Sequence, residues 1–161
     1  LDPCCGIGVL SDAAYRKRKR VLSQDIFDWG YQYTHKICDF LEDVDVGFHS
    51  SDLCVFMNPP FSKSVEFINK SFEIGAKKVL CFSPISFYSS IGRRSFWNNA
   101  HCSRIWMCAE RATCWRHDIK QKDRKNDTPT IYAWYVFEKG LGTQAPPIYR
   151  LYKSDAGGEN V

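Results

Sequence analysis

The chain has 161 residues, 44% of them hydrophobic and 25% charged, with a formal net charge of +4. That length can bury one core, and the composition excludes fibrous, disordered and low-complexity readings. No apolar run approaches the ~20 residues that span a bilayer and no stretch reads as a secretory leader, so no membrane partner is expected, while the mild positive charge permits a polyanion without demanding one.

The chain opens at Leu1, without a methionine, on Asp2-Pro3-Cys4-Cys5-Gly6-Ile7-Gly8. A first strand reduced to its end at Asp2 runs straight into a glycine turn, so the sequence reads as N-terminally truncated. A helix is predicted over about 9–18, a second strand over 21–26, and, after a loop, a short third strand reaching Cys38 and ending at Asp39. The apolar run Leu53 to Met57 reads as a buried parallel strand. Asn58-Pro59-Pro60-Phe61 must end it, because each proline lacks an N–H and has a fixed φ.

Ser62 is expected to cap a helix over about 63–74, with Glu66 in its first turn, apolar Val65, Phe67, Ile68 and Phe72 at helical spacing, and Gly75 at its end. Lys78 to Phe82 is a fifth strand, stopped by Pro84. A helix-like segment covers about 87–98. Arg104 to Cys108 and Thr130 to Phe137 are rich in β-branched and aromatic residues and read as closing strands. Between them, 115–127 is a polar, charged loop of a length that often carries function. The alternation predicts an α/β fold in a single domain over 1–161: a mostly parallel sheet, helices on both faces, and an antiparallel C-terminal edge.

Eight cysteines raise the question of disulfides or zinc. Cys38, Cys54, Cys81 and Cys108 lie in or beside apolar runs, where free cysteine behaves as a small hydrophobe. No CxxC pair occurs, and the adjacent Cys4 and Cys5 suit neither bridging to each other nor chelation. Cys114 near His117 lacks a second pair of convincing spacing. The expectation is a reduced, cytoplasmic protein without metal.

Four features fall at the ends of four successive strands: Asp2 with Gly6 and Gly8, Asp25, Asp39, and Asn58 with its prolines. In a doubly wound sheet such ends converge on one crevice. Glycines let backbone approach a ligand closely. A carboxylate ending the second strand can accept from ribose hydroxyls, and a third can accept from an exocyclic amine. No Walker lysine follows the glycines and the spacing is not GxGxxG, so phosphate cradling is disfavoured. An acidic crevice suits a cationic nucleoside better than a pyrophosphate. A fixed amide at Asn58 beside the Phe61 ring suits a planar, amino-bearing ring.

The ordered set Asp2-Pro3-Cys4-Cys5-Gly6-Ile7-Gly8, Asp25, Asp39-Phe40-Leu41 and Asn58-Pro59-Pro60-Phe61 resembles the S-adenosylmethionine-dependent N6-adenine DNA methyltransferases, most of all their short phage and bacterial members. The resemblance spans about the first 60 residues, with a weaker echo over Tyr132 to Gly140. It implies a Rossmann-like class I methyltransferase fold and S-adenosylmethionine as cofactor. It also implies methyl transfer to adenine N6 in DNA, on a flipped or unpaired base, in a bacterium or in a virus within its host cell. By that resemblance Asp2, Pro3, Gly6 and Gly8 border the methionine moiety, Asp25 holds the ribose, and Asp39 meets the cofactor's adenine amine with Phe40 beside it. Asn58 and the Pro59 carbonyl, held by Pro60, would grip the target amine, and Phe61 would stack on the target base.

Blander roles stay open: Asp25 as a turn cap, Asp39 as a loop acid, Phe61 in the core, Arg16-Lys17-Arg18-Lys19-Arg20 as a solvated helix end. For nucleic-acid contact the preferred candidates are Trp115, Arg116, Lys120, Lys122, Arg124 and Lys125 of the basic loop. RNA adenine, a protein glutamine amide and a non-catalytic nucleic-acid-binding remnant remain as alternatives.

Overall fold

The computed structural model describes residues 1–43, 52–110, 112, 114, 130–141 and 145–156. In chain order the elements are α1 (Val9–Arg16), β1 (Ser23–Asp25), β2 (Thr34–Ile37), β3 (Cys54–Met57), α2 (Ser64–Glu73), β4 (Lys78–Pro84), α3 (Arg94–Asn99), β5 (Cys102–Cys108), β6 (Tyr132–Glu138) and β7 (Ile148–Leu151). A parallel pair, β1-β2, stands beside a five-stranded sheet of order β3-β4-β6-β5-β7. Leu1 and Asp2 join the two. The Leu1 amine donates to the Cys54 carbonyl at 2.8 Å and the Leu1 carbonyl accepts from Phe56. Asp2 bridges in parallel to Ser23. The reduced first strand therefore lies between β1 and β3, where the strand order reverses, which is the position at which open α/β sheets bind ligands.

Most strands run parallel, but β6 is antiparallel to both of its neighbours, β4 and β5. The expected antiparallel pairing thus lies inside the sheet, not along its edge. Seven rungs pair β6 with β4, from Lys78 opposite Glu138 to Pro84 opposite Tyr132. The residues of β6 explain this: Tyr132, Ala133, Tyr135, Val136 and Phe137 are all buried, on both faces of the strand, which an edge strand could not provide. The edge is β7, parallel to β5, a strand that its exposed Ile148-Tyr149-Arg150 did not announce.

The helix expected from Ser62 begins instead at Ser64, after a 3₁₀ turn over Phe61–Lys63, and no side chain caps it. The turn is set by Pro60, whose carbonyl accepts from the Lys63 N–H at 2.8 Å. Ser64, Phe67, Ile68 and Ser71 form the buried face of α2, against β4. Gly75, at φ 92, closes the helix as expected. The segment expected to be helical over 87–98 is broken: Ser90 is extended, a 3₁₀ turn covers Ile91–Arg93, and only α3 is α-helical. Serines compete for backbone hydrogen bonds and glycine resists helix, and Ser89-Ser90 with Gly92 sit where the break falls. Aromatic rings of this segment, Phe87, Phe96 and Trp97, pack on Tyr135 and Phe137 to extend the core. Among the described residues no helix is long and apolar enough to cross a membrane.

Candidate active site

The carboxyl ends of the first strand, β1, β2 and β3 open into one cavity of about 670 Å³. Asp2, Pro3, Gly6, Asp25, Asp39 and Phe40 line one side of it, and Asn58, Pro59, Pro60 and Phe61 another. Four segments distant in sequence are thereby brought together.

Gly8 does not line the cavity. It sits at the start of α1 with φ 86, and a Cβ built on it would collide with the ring of Tyr31. Its lack of a side chain serves packing. Gly6, at φ 54, has no neighbour within 4 Å of the place a Cβ would take, so its turn is open towards the cavity.

Asp2 is fully buried. Its Oδ2 accepts from Ser11 Oγ at 2.8 Å, Ser11 accepts in turn from Ser23 Oγ, and Oδ1 has no partner among the described residues. Burial pushes its carboxyl up to about 6. Asp25, by contrast, is well supplied: Gly6 N–H donates to Oδ2 at 2.8 Å, and Phe27 N–H and Trp29 Nε1 donate to Oδ1 at 3.1 and 2.9 Å. It ties the glycine turn to the crossover between β1 and β2, so its turn-organising role is present in the structure. Asp39 accepts from Leu41 N–H at 2.9 Å and shapes the turn after β2. Phe40 is only 2% exposed and packs its ring against Phe67, making it a wall of the site that is also core.

On the other side, Asn58 Nδ2 donates to the Cys114 thiol at 4.0 Å, while Asn58 Oδ1 is buried without a partner among the described residues. The carbonyls that follow differ in supply. Pro60 accepts from Lys63 N–H, and Phe61 accepts from Ser64 Oγ at 3.2 Å and from Arg93 at 3.3 Å; no described residue donates to the Pro59 carbonyl. Phe61 is 41% exposed, so it is not a core ring. It leans on Tyr132 at 6.1 Å, and Tyr132 stacks on Phe82 at 5.1 Å. The cavity is electrostatically divided: carboxylates at Asp2, Asp25 and Asp39 on one side, Lys63 and the Arg93 guanidinium by the Asn-Pro-Pro-Phe corner on the other.

Sequence reasoning missed Phe27, Trp29, Cys114 and Tyr132, all of which line the cavity. The aromatic alternation Phe27, Trp29, Tyr31, Tyr33 was the available signal. These residues build the short crossover that joins β1 to β2 without a helix. Nothing local marked Cys114, whose thiol burial pushes up. All eight cysteines are free thiols, and no cluster of metal-ligating side chains occurs among the described residues. His117 lies outside the described residues, as do Trp115, Arg116, Lys120, Lys122, Arg124 and Lys125.

No protein-family model matches the chain, and no curated protein matches it in sequence. Its fold is nonetheless the Rossmann-like α/β fold of the class I methyltransferases. One structural match is a crystal structure from Listeria monocytogenes, provisionally described as a class I S-adenosylmethionine-dependent methyltransferase, with a TM-score of 0.52 and 13% sequence identity. The superposition covers 98% of this chain and 58% of that one, so the chain spans little more than half the length of its structural neighbour.

Proposed function

We propose that the chain is a methyltransferase that uses S-adenosylmethionine to methylate the exocyclic N6 amine of adenine in DNA, on a flipped or unpaired base. The observation that carries this reading is Asn58 Oδ1: an amide oxygen, buried and without a partner among the described residues, on a residue that lines the cavity at a double-proline corner. Leaving such an acceptor unpaired costs about 1–3 kcal/mol, a cost that an incoming N–H removes.

The residues across the cavity fit a cationic nucleoside. Three carboxylates line that side, Asp2 keeps one buried oxygen unpartnered, and Gly6 leaves the backbone open to close approach. S-adenosylmethionine, when bound, supplies an electrophilic methyl group on a sulfonium centre. The chain's own part lies with the amine. The lone pair of a purine amine is delocalised into its ring, so the nitrogen is a poor nucleophile. Asn58 Oδ1 and the Pro59 carbonyl, accepting its two hydrogens, favour a pyramidal nitrogen and offset the positive charge that develops there. An amide oxygen is too weakly basic to take a proton, so Asn58 acts by holding. Phe61 offers its exposed face to the base, and such stacking is worth ~1–3 kcal/mol against the few that flipping costs. Positioning of this kind contributes up to ~7–11 kcal/mol in well-oriented reactions.

The test is transfer of tritiated methyl to unmethylated DNA, RNA and a release-factor glutamine substrate, followed by nucleoside analysis. N6-methyladenine in DNA is expected. Asn58→Ala should lower transfer by about 10²–10³ while cofactor affinity stays within a few fold. Label appearing only in protein, or equal loss of cofactor binding in the variant, refutes the assignment.

A further inference from the structure

We infer that Ile91 is a wedge that enters a DNA duplex beside the target adenine and occupies the gap left when that base turns into the cavity. This inference rests on the base-flipping reading of the site and adds the residue that opens the stack.

Ile91 is 90% exposed, more than any other large hydrophobic side chain of the described residues. It contributes almost nothing to the core, yet the turn that carries it is anchored on both sides. Ser90 is extended and its carbonyl accepts from the Arg93 N–H at 3.1 Å, closing a four-residue turn with Ile91 at the tip. The chain before the turn is anchored by Phe87, which is 3% exposed and whose carbonyl accepts from Trp97 Nε1. The chain after it is anchored by Arg93, whose guanidinium lies over the Phe87 ring at 5.1 Å and donates to the Phe61 carbonyl at 3.3 Å. That last bond fastens the turn to the corner lining the cavity. Ile91 is two residues from Arg93, so the apolar tip belongs to a turn that is itself bonded to the corner lining the cavity.

Its surroundings select the partner. Arg94 is exposed beside Arg93, and Lys63 is exposed on the adjoining corner. No Asp or Glu occurs from Pro84 to His101, nor from Asn58 to Val65. An apolar tip on a turn that carries Arg93 and Arg94, tied to a corner that carries Lys63, matches the pairing of an inserted aliphatic side chain with flanking phosphates that kinks duplexes and unstacks base steps. A purely apolar protein groove would have no use for the cations.

The experiment uses unmethylated plasmid DNA, native and heat-denatured, with wild type, Ile91→Ala and Ile91→Leu. Permanganate reactivity of thymines, read by primer extension without cofactor, reports the unstacked partner of a flipped adenine. Wild type and Ile91→Leu should raise that reactivity on native DNA, and Ile91→Ala should not. Methyl transfer by Ile91→Ala should fall roughly tenfold or more on native DNA and match wild type on denatured DNA. Its thermal unfolding midpoint should be unchanged. Equal loss on both forms of DNA, an undiminished permanganate signal, or a lowered unfolding midpoint overturns the wedge. Absence of methyl transfer by wild type to either form overturns the adenine reading, and the wedge with it.

Discussion

Asp2 carries a pH signature that can be worked out from its surroundings. It is fully buried, receives one side-chain hydrogen bond, from Ser11, and has one oxygen unpartnered, so desolvation outweighs what stabilises its charge and its carboxyl rises from 3.8 to about 6. An acid whose native pKa is raised binds its proton more tightly when folded. Its contribution to stability is complete below 3.8, is lost as pH rises to about 6, and is level above that. The full shift corresponds to about 3 kcal/mol, of which about 2 kcal/mol falls between pH 4.5 and 7.5. The perturbation is Asp2→Asn, and the assay is urea unfolding of both proteins across that window. The variant carries a constant penalty for its buried amide, so the informative quantity is how the difference between the proteins changes with pH. The difference should move by about 2 kcal/mol in favour of Asn as pH rises. A flat difference curve refutes the argument. Because a cationic ligand favours ionised Asp2, S-adenosylmethionine should bind wild type about tenfold more weakly at pH 5 than at pH 7, and Asp2→Asn with no such step.

Further tests address other parts of the chain. Gly8→Ala should destabilise by about 2–4 kcal/mol, since the methyl meets the Tyr31 ring at a positive φ, whereas Gly6→Ala should cost the fold only about 1 kcal/mol for backbone strain; equal losses in thermal unfolding would remove the packing role of Gly8. Glu138 is held down to about 2, first by its hydrogen bond from Lys78 at 2.8 Å, then by Ser103 and by Arg104 at 2.7 Å. Its contribution is present above 4.5 and lost as pH falls towards 2. Glu138→Gln should therefore destabilise by about 1–3 kcal/mol at pH 7 and by little at pH 2.5, as read by chemical unfolding. Neutralising Lys120, Lys122 and Arg124 should flatten the salt dependence of DNA binding, and an unchanged slope would clear that loop of phosphate contact.

Much of the site was legible because its residues sit where strands end, and strand ends are announced locally. The prolines at 59 and 60 stop β3, the glycines at 6 and 8 turn the chain after Asp2, and Asp25 and Asp39 close β1 and β2. Parallel strands then bring those ends to a common edge. Gly8 shows the limit: its sequence signature is that of a ligand-facing glycine, but the Tyr31 ring occupies the space beside it. Asp25 shows another, since the three donors that hold it come from residues whose approach depends on the crossover path.

Local chemistry was sufficient to decide the strand–helix alternation, the acidic side of the cavity and the proline-locked amide, because φ restriction, hydrophobic period and charge act over a few residues. The place of β6 between β4 and β5, the tie of Arg93 to the Phe61 carbonyl, the contact of Cys114 with Asn58 and the exposed perch of Ile91 were decided only in three dimensions. The first three join segments far apart in the chain, and the perch of Ile91 depends on the second of them. Such contacts form only when the whole sheet has fixed which surfaces meet.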